Sequence, residues 1–125
     1  MHHVALSVKD LDASLIFYKD LLGTKEGKSF ERKDLGGRAV FLVLDNIQLE
    51  LWQPYEQKPN KDDLTDLNTR GIRHIAFEFD DLDAKYKELK AKGIDIDEPA
   101  PGASVSKLCQ LRDPDGMVVE LYQKQ

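Results

Sequence analysis

His3-Val4-Ala5-Leu6-Ser7-Val8-Lys9-Asp10-Leu11-Asp12-Ala13 returns 71 residues later as His74-Ile75-Ala76-Phe77-Glu78-Phe79-Asp80-Asp81-Leu82-Asp83-Ala84. Six of the eleven positions are identical, and three others exchange one large apolar residue for another. Leu49-Glu50-Leu51-Trp52-Gln53 likewise returns 70 residues later as Val119-Glu120-Leu121-Tyr122-Gln123. An internal repeat dictates architecture before any local propensity does. Here it also repeats chemistry, because each half opens on a His and closes on a Glu.

Working outward from the repeat, each half reads β-α-β-β-β. Val4, Leu6 and Val8 alternate with His3, Ala5 and Ser7, the period of a strand with one face in a core. Asp10 caps a helix with Leu11, Leu15, Tyr18 and Leu22 on one stripe, ended by Gly23. The charged stretch 25–35 reads as a weak strand or loop, and Gly36-Gly37 as a turn. Strands are expected at 38–44 and 47–53, joined at Asp45-Asn46. Polar residues 54–71 read as a linker with one helical turn near 62–67. The second half then gives a strand at 73–79, and a helix from Asp80 or Asp81 to Gly93 carrying Leu82, Tyr86 and Leu89. A short strand near Ile94–Ile96, a loop at Pro99, Pro101 and Gly102, and a strand at 105–111 follow. Asp113-Pro114-Asp115-Gly116 is a hairpin turn leading into Met117–Gln123. The fold class is α+β: two tandem βαβββ modules, 1–53 and 72–125, in a single domain of curved mixed sheets.

Alternation also decides which residues share a face. Leu49 and Leu51 face the helix, so Gln48, Glu50 and Trp52 face away. Val119 and Leu121 face the helix, so Val118, Glu120 and Tyr122 face away. His3 and His74 lie on the same uncovered side, with Ala5 and Ala76 leaving room beside them. One His or Glu on a sheet face is ordinarily just solvated. Two His/Glu pairs in repeated positions point further, because an inward carboxylate is costly unless paired. His3, Glu50, His74 and Glu120 are therefore candidate ligands of a divalent cation. Two nitrogen and two oxygen donors suit Ni, Co or Zn, with Mn and Fe also compatible. The repeated Asp10, Asp12, Asp81 and Asp83 are explained by helix capping and the first-turn dipole.

Composition narrows the function classes. Eighteen basic against 23 acidic residues give a net charge of −5, with no basic run for nucleic acid or an anionic membrane. The single Cys109 cannot form an internal disulfide and reads as a small hydrophobe in a strand. With no signal-peptide core and no apolar run near 18 residues, the expected location is the cytoplasm.

These motifs resemble the vicinal oxygen chelate superfamily, which includes glyoxalase I, bleomycin-resistance proteins, extradiol dioxygenases and methylmalonyl-CoA epimerase. The marks are His3–Val8 with Asp10-Leu11 and Phe17-Tyr18, Gly71–Phe77, and Asp113–Gly116 before Val119-Glu120-Leu121. Within the superfamily, glyoxalase I resembles a His-Glu-His-Glu pattern, which His3, Glu50, His74 and Glu120 fill. The epimerase typically has Gln at the position of Glu50. Dioxygenases and fosfomycin-resistance enzymes lack the Glu50 equivalent, and bleomycin binders lack the ligands. The resemblance implies an octahedral metal with two waters and a glyoxalase I-like lyase, lactoylglutathione lyase-like in type. Such an enzyme turns the hemithioacetal of a 2-oxoaldehyde into a 2-hydroxyacyl thioester through an enediolate, as in methylglyoxal detoxification. It makes Glu120 the leading base and Glu50 its partner on the other face of the substrate. One of the two must loosen from the metal to act as a base.

The resemblance also offers Arg70 as a contact to a glutathione carboxylate, although a solvated linker arginine explains it equally. Trp52, Tyr122 and Phe41 line an apolar pocket or simply pack. No glutathione-contacting asparagine follows the Glu50 strand. The alternatives are another metal-dependent isomerase or epimerase of the superfamily, and a resistance protein that sequesters a small molecule. Small bacterial-type glyoxalases imply a homodimer in which His3 and Glu50 of one chain meet His74 and Glu120 of its partner.

Overall fold

The computed structural model describes residues 1–125, which form two compact units, Met1–Asn60 and Lys61–Gln125. Each is built on a four-stranded mixed sheet. The first contains β1 (His3–Ser7), helix α1 (Leu11–Leu15), β2 (Lys25–Arg32), β3 (Gly37–Val43) and β4 (Gln48–Pro54). Its strand order is β1-β4-β3-β2, with β1 parallel to β4 and the other pairs antiparallel. The second contains β5 (His74–Glu78), α2 (Leu82–Ala91), β6 (Ala100–Pro101), β7 (Lys107–Arg112) and β8 (Val118–Gln123). Its order is β5-β8-β7-β6, with the same pattern of directions.

The expected alternation holds. Leu6, Val8, Leu49 and Leu51 are buried while His3, Ala5 and Ser7 stay exposed. Phe77, Val119 and Leu121 are buried while His74, Ala76 and Glu78 stay exposed. Asp10 and Asp81 cap the helices, their carboxylates accepting from Asp12 N and Ala13 N and from Ala84 N. In the Asp113–Gly116 turn, Asp113 Oδ1 accepts from Asp115 N and Met117 N, and Gly116 takes φ of 82°. That left-handed conformation favours glycine.

The structure departs from the sequence expectations in four places. The first helix is α-helical only to Leu15 and continues as a π-helix over Ile16–Leu21. The π-helical turns bury Phe17 and Tyr18, with Ser14 and Leu22 buried on either side, leaving Leu15 partly exposed and Ile16 open to solvent. Residues 25–32 are a full strand although charged, because β2 is an edge strand paired on one side only. The 62–67 segment makes side-chain-stabilised turns rather than helix: Asp63 Oδ1 accepts from Thr65 N, and Asp66 Oδ1 from Asn68 N. Residues 61–71 belong to the second unit, where Arg73 donates to the Asp63 carbonyl and pairs with Asp62. Finally, Ile96 makes only an isolated bridge to Leu111, and the outer strand is Ala100–Pro101, in the stretch expected to be loop. Proline is tolerated there because a sheet edge does not need every N–H.

No helix is long and apolar enough to cross a membrane.

The repeated glutamines tie each helix to its sheet. Gln53 Oε1 accepts from Leu11 N at 2.8 Å, and Gln123 Oε1 accepts from Leu82 N at 2.9 Å. Both satisfy first-turn amides that have no intrahelical partner. Replacing either Gln with Ala strands a part-buried N–H, so each variant should lose about 1 kcal/mol, read as a lower urea midpoint at unchanged m-value. An unchanged midpoint in both would show that water satisfies these amides equally well.

Candidate active site

The register of each parallel strand pair assembles a His/Glu pair. Ala5 lies beside Glu50 and Ala76 beside Glu120. The same-face neighbour two residues before each Ala is the histidine, so imidazole and carboxylate meet over a methyl group. His3 Nε2 is 3.3 Å from Glu50 Oε2, and His74 Nε2 is 3.9 Å from Glu120 Oε2. The two histidines are 38% exposed and the two glutamates 17% and 18%, so the pairs match in burial as well as sequence. Within neither unit does a third His, Cys, Asp or Glu complete a ligand group.

The pairs fit a cation. A nitrogen and an oxygen each ~2.1 Å from one ion and at right angles lie ~3 Å apart, close to the 3.3 Å separation and within a small side-chain movement of 3.9 Å. Both histidines direct the same ring atom, Nε2, at the carboxylate.

The two pairs have different neighbours. Across the antiparallel ladder Glu50 faces Phe41, whereas Glu120 faces Gln110. Phe41 sets its ring edge-on to His3 at 5.3 Å between centroids. Gln110 Nε2 donates to Glu120 Oε2 at 3.4 Å. The first pair thus has an aromatic wall and the second an amide. Trp52, half-buried, packs close against Gly37, where only the lack of a side chain leaves it room. A Cβ there would stand 2.4 Å from Trp52 Cζ2. Tyr122 is committed elsewhere: its hydroxyl donates to Glu78 Oε2 at 2.9 Å. Lys124 and then Tyr122 hold the Glu78 carboxyl below its ordinary range, and Glu78 raises the Tyr122 hydroxyl above its own.

Arg70 is exposed in the segment before β5. Its neighbour Arg73 is the arginine that packs, 9% exposed against Asp62 and Asp63. Val118, expected on the uncovered face, is buried at 4%. Cys109 is 2% exposed and burial pushes its thiol up to about 11, the behaviour of a packing residue rather than a nucleophile. The sequence alone gives Gln53, Gln110, Gln123 and His2 no functional role, and Gln48 only a place on the uncovered face. The repeat signals Gln53 and Gln123, since both close the repeated stretches. Gln48, Gln110 and His2 emerge only once strand register is known.

Residues 1–121 match the family model of the Glyoxalase/Bleomycin resistance protein/Dioxygenase superfamily. An ethylmalonyl-CoA/methylmalonyl-CoA epimerase of Cereibacter sphaeroides is 33% identical over 98% of this chain and 96% of its own. The mitochondrial methylmalonyl-CoA epimerase of Homo sapiens is 32% identical over 98% of this chain and 73% of its own. Among solved structures, a trypanothione-dependent glyoxalase I of Leishmania major superposes with a TM-score of 0.78 at 26% identity, over 99% of this chain and 86% of that one. The repeat, the two sheets of like strand order and the match over nearly the whole chain have one conclusion: the protein belongs to the Glyoxalase/Bleomycin resistance protein/Dioxygenase superfamily.

Proposed function

We propose that this protein is a metal-dependent isomerase that moves a proton at the carbon α to a thioester carbonyl, acting as an epimerase of 2-carboxyacyl-CoA substrates. The observation that carries this reading is the similarity to epimerases of that class, 31–33% identical over 98–99% of the chain. It takes precedence over the lactoylglutathione lyase expected from the ligand pattern alone, because the glyoxalase I likeness is in fold at lower identity.

Epimerisation needs one C–H bond broken on one face of a carbon and another formed on the opposite face. Duplication supplies two like carboxylates, one per unit. Glu120 takes the α-proton as general base, and Glu50, as the acid, returns a proton to the other face. The charge left on the substrate spreads onto the thioester carbonyl and the neighbouring carboxylate. A divalent cation would be held by His3, Glu50, His74 and Glu120, with a glutamate released while it carries a proton, and would supply Lewis-acid stabilisation of the substrate oxygens; Co, Ni, Zn, Mn and Fe all suit this donor set. Glu50 gives the first pair a carboxylate for the second face. Phe41 and Trp52 flank the first pair with apolar surface, while Gln110 orients Glu120. Arg70 is exposed and available to an anionic group of the substrate, and Tyr122, tied to Glu78, lines the open face of the second sheet. A cytoplasmic setting accords with the unpaired Cys109.

In D2O, the cation-loaded protein should incorporate deuterium at C2 of methylmalonyl-CoA, followed by mass spectrometry. Glu120→Gln should lower that rate ~100-fold or more while leaving the fold intact. Turnover of methylglyoxal hemithioacetals with glutathione or other thiols, without exchange into any 2-carboxyacyl-CoA, would reject the epimerase in favour of the lyase.

Each unit holds two ligands, and a two-fold dimer can pair unlike halves at two equivalent sites. The proposed assembly is therefore a homodimer, with His3 and Glu50 of one chain meeting His74 and Glu120 of the other. Inactive His3→Ala and Glu120→Ala proteins, mixed under subunit exchange, would then gather both lesions in one site. Activity should return toward half of the parental value per mixed dimer. A dead mixture despite demonstrated exchange would place all four ligands within one chain.

A further inference from the structure

His3 does not stand alone behind Glu50. Its Nδ1 lies 2.8 Å from Nδ1 of His2, with the rings nearly perpendicular at 83°. Nε2 of His2 lies 3.2 Å from the side-chain amide of Gln48, which is the register partner of His3 in β4. Phe41 abuts both rings edge-on, at 5.3 and 6.3 Å. The second unit has no such arrangement. The repeat offset puts Arg73 in the place of His2, and strand register puts Val118 in the place of Gln48. Arg73 is engaged with Asp62 and Asp63 instead.

We propose that His2 is a positioning residue for the cation site, a reversible hydrogen-bond relay that holds the His3 ring in one place whether or not its Nε2 carries a proton. This rests on the assignment of His3 and Glu50 as cation ligands. The donor and acceptor inventory allows two complete arrangements. In the first, the Gln48 amide nitrogen donates to His2 Nε2, His2 Nδ1–H donates to His3 Nδ1, and His3 Nε2–H donates to Glu50 Oε2. No polar atom in that chain is left without a role. In the second, His3 Nε2 offers its lone pair to a cation, so its proton must sit on Nδ1. It then donates to His2 Nδ1, the His2 proton moves to Nε2, and a flipped Gln48 amide accepts with its oxygen. The Nδ1–Nδ1 contact serves both directions with the rings in place. A backbone carbonyl or carboxylate in the position of His2 accepts only, and would serve the second arrangement alone. Imidazole in that position is what lets the empty and loaded states share one geometry. An outer partner of this kind commonly sets metal affinity by 10–100-fold.

Long-range 15N–1H NMR of the histidine rings, without metal and with one equivalent of Zn, reads the relay directly in the unmodified protein. His3 should change from the Nε2–H to the Nδ1–H tautomer on loading, with His2 changing from Nδ1–H to Nε2–H. Zn affinity, from competition with a chromophoric chelator, should fall ~10-fold or more in His2→Ala. His2→Asn, whose amide can either donate or accept near the same point, should recover most of the loss. Circular dichroism confirms that each variant is folded. Unchanged tautomers on loading, affinity of His2→Ala within twofold of the parent, or equal losses in the Ala and Asn variants would each overturn the proposal. If the unmodified protein binds no Zn, Co or Ni at all, the cation assignment itself fails and takes the relay with it. Normal binding by His2→Ala removes the relay alone.

Discussion

The parallel pairing of first and last strand within each unit is the constraint on which the rest depends. β1 against β4 and β5 against β8 run in the same direction and in equivalent register, Ala5 to Glu50 and Ala76 to Glu120. A slip of one residue would turn every side chain to the opposite face, carrying the glutamates into the apolar layer and Leu49, Leu51, Val119 and Leu121 into water. The core therefore enforces the register, and the register places an imidazole beside a carboxylate. The two His/Glu pairs are a by-product of hydrophobic alternation, which lets the same pairing recur in both halves.

A parallel pair needs a crossover, and the crossover is where the helix belongs. Asp10 and Asp81 start the helices from one side, and Gln53 and Gln123 hold their first amides from the strand that receives the pairing. The two contacts bind the helix, the first strand and the last strand into one unit. The π-helical stretch in the first unit shows how far that packing overrides regular geometry: the turn widens so that Phe17 and Tyr18 both reach the core.

The halves differ around a common His/Glu pair. The first has an aromatic wall from Phe41 and the His2–Gln48 chain behind its imidazole. The second has the Gln110 amide behind its carboxylate. One half supports its imidazole and the other its carboxylate. For a reaction that removes a proton from one face and returns it to the other, two carboxylates with different surroundings are more useful than two identical ones. The proposed proton transfer beside a thioester carbonyl rests on the likeness to acyl-CoA epimerases and would use both glutamates.

The sequence by itself determined the duplication, the α+β class, the helix caps, the DPDG turn and the sheet face on which His3, Glu50, His74 and Glu120 lie. Those features are local or periodic: a period of two, a carboxylate ahead of a helix, a glycine at positive φ. It did not determine the π-helix, the outer strand at Ala100–Pro101, the turns at 61–71, the burial of Val118 or the partners of the candidate residues. Each of these depends on what lies across a strand pair or under a helix. Nothing within five residues of Phe17 demands a wider turn, and nothing beside Ala100 announces a ladder to Leu108. Likewise, His2 looks like a second histidine at the start of a strand until β1 pairs with β4 and brings Gln48 to it. Periodicity tells which way a side chain points, whereas only register, which tertiary packing selects, tells what it meets there.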